Sequence, residues 1–145
     1  GELAPRITNK TKDWTGLGRW NHTTLRRDNH PPLHLYTVYC VCNTRGPRTS
    51  HTQQLRKLTQ LGHQSPNPRQ QCTTDLTIEI QKHNAANETS IVAIDANEHL
   101  EGNQGLHDFL QSTGLVDCFY HRHQCGHIFF YRPLGPRVHI PLQLF

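Results

Sequence analysis

Long apolar runs are missing from these 145 residues: nothing approaches the roughly 20 consecutive apolar side chains of a membrane span, and no leader of the secretory type opens the chain. A membrane partner is therefore not expected. Internal repeats, low-complexity tracts and blocks of like charge are absent as well, which argues against a disordered tail. Cysteine is sparse and irregular. Cys40, Cys42, Cys72, Cys118 and Cys125 are odd in number and contain no C-x-x-C pair, so neither a disulfide framework nor a zinc ribbon is indicated. A reducing, intracellular compartment is the expectation. Cys40 and Cys42 have no histidine near them in sequence, which sets aside a thiol nucleophile. The Asn-x-Thr sequons at Asn9, Asn21 and Asn87 are what so Asn- and Thr-rich a chain produces by chance.

What is present fits one domain with a modest core. Hydrophobic residues make up 34% and charged residues 18%, and Asn, Gln, Thr and His supply the balance. The formal charge of +4 leans towards polyanionic partners. Its densest basic groups are Arg26-Arg27 and the loop from Arg45 to Arg48.

Residues 1 to 16 carry no periodicity and read as irregular. From Gly18 a hairpin is predicted: Arg19 to Arg26, a turn at Asp28-Asn29-His30-Pro31-Pro32, and a return strand from Leu33 to Val41 with both faces partly covered. A helix from His51 to Leu61 ends at Gly62, and Asn67-Pro68 caps a second helix running to about Asn84 with Cys72, Leu76 and Ile80 in one stripe. Ile91-Val92-Ala93-Ile94 then reads as an interior strand flanked on both faces, completing a strand-helix-strand crossover. Leu106, Phe109 and Leu110 show helical spacing before a stop at Gly114.

The strand at 91 ends in Asp95-Ala96-Asn97. If extended geometry persists, Asp95 and Asn97 project to one side. A carboxylate there can take a proton from water or hold a cation, and a carboxamide can donate to a phosphate oxygen. Phosphodiester hydrolysis needs both.

Four segments occur in order: Gly18-Arg19-Trp20, Leu35-Tyr36-Thr37-Val38-Tyr39, Ile94-Asp95-Ala96-Asn97, and Phe109 through Gly114-Leu115-Val116-Asp117. Together they resemble the endonuclease/exonuclease/phosphatase superfamily, the DNase-I-like fold, and within it the endonuclease domains of non-LTR retroelements. The likeness spans about residues 18 to 120, with 121 to 145 divergent. It implies a partial DNase-I-like α/β sandwich, a mixed sheet with helices packed on it, whose N- and C-terminal parts lie outside the chain. It implies Mg²⁺ or Mn²⁺ as cofactor, with Asp95 and Asn97 towards the metal. Nucleic acid, DNA first, is the implied substrate, and a longer polyprotein and a nuclear location go with a retroelement product. On the same resemblance Asp95 orients and activates the attacking water, while Asn97 and Tyr39 hydrogen-bond the scissile phosphate.

The departures are specific. The family's metal-binding Glu has no counterpart here, since Glu2 has no strand around it, and Asn43 stands one residue beyond the place of a family Asn. Arg137-Val138-His139-Ile140 puts His where the family has Asp, and the family's terminal Asp-His pair has no match. The expectation is a fragment that is inactive in isolation. Two other readings stand beside it. One is a non-catalytic nucleic-acid-binding remnant using Arg19, Arg45 and Arg48 on phosphates, recognised by salt-sensitive, sequence-indifferent binding. The other is a zinc module from His121, His123, Cys125 and His127, whose alternation puts all four on one face of an extended strand.

Overall fold

The computed structural model of the chain describes residues 3–44, 46–97, 104–118 and 122. After a single 3-10 turn at Ala4–Arg6, the elements are β1 (Ile7–Lys12), β2 (Trp20–Arg27), β3 (His30–Tyr39), α1 (Ser50–Gln60), α2 (Pro68–Ala85), β4 (Thr89–Asp95) and α3 (Gln104–Thr113). The strands form one mixed sheet in the order β1-β2-β3-β4, antiparallel at the first two junctions and parallel between β3 and β4. A parallel neighbour requires a crossover, and α1 and α2 supply it.

The second helix forms where its capping chemistry dictates. Asn67 Oδ1 accepts from the backbone N–H groups of Arg69 and Gln70 at 3.1 and 3.3 Å, and Pro68 occupies the first turn, where no amide donor is needed. Cys72, Leu76 and Ile80 then recur every fourth residue and are fully enclosed. They pack against Trp20, Tyr36 and Val38 of the sheet and against Leu106 and Phe109 of α3. Gly114, at a φ of 67°, stops α3 in the left-handed conformation that favours glycine. The outcome is a mixed α/β arrangement whose core lies on one face of the sheet.

Three expectations need correction. Residues 7 to 12, read as irregular, form edge strand β1; its side chains are nearly all exposed, so no buried alternation marks it. The hairpin turn is tighter than predicted, with Arg27 paired to His30 and Asn29 at a φ of 60°. Pro31 and Pro32 therefore lie inside β3, at a register irregularity and before pairing with β4 begins at Leu33, where missing amide donors cost no ladder bond on the β4 side. β3 is partly covered on both faces, as expected: His34, Tyr36 and Val38 are buried on one, while on the other Leu33 and Leu35 are half-buried and only Thr37 and Tyr39 are exposed. β4, by contrast, is not flanked on both faces by the described residues. Its residues alternate between exposed and half-buried, and Ile91 is 54% exposed.

Candidate functional site

The parallel junction between β3 and β4 brings Tyr39 opposite Asp95 at the carboxyl ends of both strands. Both side chains belong to the open face of the sheet and are exposed. Asn97 reaches them by a different route from the one the sequence predicts. The strand ends at Asp95, and Asn97 takes a left-handed φ of 50°, so the pair does not share a side through extended geometry. Adjacency comes from the Asn97 backbone N–H, which donates to Asp95 Oδ1 at 3.3 Å. The carboxamide is also engaged: Nδ2 donates to the Cys40 carbonyl at 2.8 Å, and Oδ1 accepts from the Cys42 thiol at 3.1 Å. Burial, then the Cys42 thiol and the Asp95 charge, push the Tyr39 phenol above its ordinary range against a hydrogen bond from Asn97, so it stays protonated at neutral pH. Cys42, set aside as a nucleophile, is thus a neighbour of all this chemistry. An open cleft of about 450 Å³ between the Gly16 to Gly18 loop and α1 reaches Tyr39, with Gln53 and Lys57 on its wall.

Among the described residues, the donors at this edge do not by themselves make up a Mg²⁺ or Mn²⁺ site. Such hard cations draw on several oxygens, and the second oxygen expected from the sequence, Asn97 Oδ1, is turned to a thiol. Among the described residues no set of three metal-ligating side chains converges on Asp95.

Arg19, expected on a phosphate, is instead interior, with 1% of its surface exposed. Its Nε donates to Asp13 Oδ2 at 2.7 Å and its Nη2 reaches Asp75 Oδ2 at 2.8 Å, while the guanidinium lies 4.6 Å from the Trp20 ring centroid. It clamps the β1–β2 connection to α2. Burial alone would raise the Asp13 carboxyl, but hydrogen bonds from Arg19 and Thr15 bring it below its ordinary value. Arg48 is exposed, and Arg45 lies outside the described residues, as do His121, His123, Cys125 and His127. A basic residue that sequence reasoning passed over, Arg69 on α2, donates from Nη2 to the Asn97 carbonyl at 2.9 Å and so fixes the exit of β4.

A second polar group lies on the opposite face, under the last turn of α2. His22 of β2 pairs in register with Tyr36 of β3, His34 stands two residues earlier on the same face of β3, and His83 descends from α2. His34 is 4% exposed, and His22 and His83 are partly buried. The His34 and His83 rings stack at 3.5 Å between centroids. His22 Nε2 lies 2.9 Å from His34 Nδ1, and His22 Nδ1 lies 3.0 Å from Thr11 Oγ1. Glu88 Oε2 meets both His34 Nε2, at 2.9 Å, and His83 Nδ1, at 3.0 Å, while His83 Nε2 meets the Tyr36 hydroxyl at 2.9 Å. Burial first, then the charges on His34 and His83, lower His22 to about 4; burial and His83 lower His34 likewise. The hydrogen bond from His83 leads in holding the Glu88 carboxyl below its usual range. Twelve histidines hinted at such a group, but only hairpin register and helix packing bring these three together. No protein-family model, curated protein or solved structure matches the chain.

Proposed function

We propose that the chain is part of a metal-dependent phosphodiesterase of the endonuclease/exonuclease/phosphatase superfamily acting on DNA, with a DNase-I-like fold, and that the 145-residue polypeptide alone does not hydrolyse it. The observation that carries the reading is the pairing of Tyr39 with Asp95 at the carboxyl ends of the one parallel strand pair among the described residues. In open α/β sheets, ligands bind outside those ends. Asp95 is the proton acceptor for an attacking water, and the protonated Tyr39 hydroxyl is a donor to a phosphate oxygen. Asn97 can join it by releasing the Cys40 carbonyl. Lys57, on the wall of the adjoining cleft, provides a positive charge for the flanking phosphates.

Hydrolysis also calls for cation ligands that the described residues do not gather around Asp95. Supercoiled plasmid incubated with the isolated chain and Mg²⁺ or Mn²⁺ is therefore expected to remain intact. The same chain, extended on both sides by the segments that its flanking DNA encodes, is expected to nick the plasmid. Tyr39→Phe in that extended form should slow nicking about 100-fold, the usual effect of losing one transition-state donor, and Asp95→Asn should abolish it. Nicking by the isolated chain, or nicking by the extended one that ignores both substitutions, rejects the proposal.

A further inference from the structure

We propose that His22, His34 and His83 form a binding site for one zinc-class divalent ion, with three imidazole nitrogens as ligands and the fourth position left to water. One ring nitrogen from each residue lies within 4.8 Å of the other two. A tetrahedral zinc ion with Zn–N bonds of about 2.0 to 2.1 Å sets its nitrogens about 3.3 Å apart. The widest gap therefore closes by side-chain rotation that also opens the His34–His83 stack, so that their in-plane lone pairs converge, and His22 Nε2 and His34 Nδ1, now 2.9 Å apart, open slightly. Imidazole sets of this kind suit zinc and its neighbours in the first transition row, not Mg²⁺ or Ca²⁺.

The hydrogen bonds around the three rings are those of a prepared site. An ionised carboxylate only accepts, so the contacts of Glu88 place protons on His34 Nε2 and His83 Nδ1. In the neutral rings this leaves His34 Nδ1 and His83 Nε2 as bare lone pairs, the form that binds metal. Such carboxylate-histidine contacts orient metal-bound imidazoles and raise their basicity. His22 needs one change. Without an ion its Nε2–H donates to His34 Nδ1, and its Nδ1 accepts from the Thr11 hydroxyl. With an ion the proton moves to Nδ1 and the Thr11 hydroxyl becomes the acceptor, while the Thr24 hydroxyl, now 3.3 Å from His22 Nε2 and 3.4 Å from His34 Nδ1, gives up both contacts. The Tyr36 hydroxyl, now on His83 Nε2, turns to the water in the fourth position. His83 also stands in the last turn of α2, the end at which a helix favours positive charge.

The test uses the untagged chain, purified without a metal column, in equilibrium dialysis against Zn²⁺. One zinc per chain is expected, and the same in a variant carrying His121→Ala, His123→Ala, Cys125→Ala and His127→Ala, which removes the other His/Cys run. His22→Gln and His83→Gln should lose the ion, and Glu88→Gln should weaken it about 10- to 100-fold as a positioning residue. Long-range ¹H–¹⁵N spectra of the wild-type imidazoles give an independent reading that needs no variant. Zinc should move the His22 proton from Nε2 to Nδ1 and leave His34 and His83 in their existing tautomers. Cobalt substitution should give a tetrahedral visible spectrum without thiolate charge transfer. A chain that binds no zinc, binding that vanishes with the four-residue variant or survives in folded His22→Gln and His83→Gln, an unchanged His22 tautomer, or a cobalt–thiolate band would each overturn the site.

Discussion

Arg19 is held in the interior of the protein by two carboxylates, and its surroundings say what it does. Its side chain is fully buried between Asp13 and Asp75, and its Nη1 finds no hydrogen-bond partner among the described residues. A buried pair of this sort contributes little compared with well-packed apolar residues, yet losing one member strands the other charge, at a cost of about 3 to 5 kcal/mol. Arg19→Ala is therefore expected to lower unfolding stability by about that amount, measured by urea titration, and to leave the salt slope of any DNA binding by the folded fraction unchanged. The same group predicts an acid response. The Asp13 carboxyl titrates below its unfolded value of 3.8, so its contribution is fully present above that value and is lost as pH falls through the still lower folded one. Urea midpoints taken from pH 5 down to pH 2 should fall for the wild type below about pH 4. Asp13→Asn should start lower and fall less. The sequence offered no sign of the clamp, because a basic residue opening a strand looks the same whether it faces a phosphate or two distant carboxylates.

At the level of elements, legibility followed local chemistry. Helix α2 could be read because Asn67-Pro68 is a cap in itself and Cys72, Leu76 and Ile80 mark one face without ambiguity. Asn67→Ala should cost about 1 kcal/mol, while Leu76→Ala, at a fully enclosed position, should cost about 2 to 5 kcal/mol. Calorimetric melting of the two variants would show whether the stripe outweighs the cap, as the core packing requires. β1 was illegible because a polar edge strand has no buried face to impose alternation. The single covered face of β4 was hidden for a related reason: a short apolar run does not say how many layers will pack on it. Residue type and order mark Asp95 and Tyr39 as candidates, but their pairing is a matter of parallel register, and the meeting of His22 with His34 is one of antiparallel register across the hairpin.

Taken whole, the molecule keeps its two polar sites apart on the two faces of one sheet. His34 faces α2 from the covered side of β3, and Tyr39, five residues on and of opposite parity, lies on the open side. Five residues of extended strand span about 17 Å, so an ion between the histidines neither touches Asp95 nor adds charge at the cleft. Its effect is on the fold. The three histidines come from β2, β3 and α2, so an ion bound among them ties the hairpin to the helix packed across it and favours the native state over the unfolded chain. Linkage then gives at most about 2.7 kcal/mol of added stability at free zinc 100 times the dissociation constant, less whatever zinc the unfolded chain's histidines and cysteines bind. Thermal melts in excess Zn²⁺ should shift upwards by several degrees, with no shift for His83→Gln and an undiminished shift for Asp95→Asn. Equal shifts in all three proteins would mean that zinc acts elsewhere on the chain, and a shift lost in Asp95→Asn would mean that the two faces are coupled through β3 and β4.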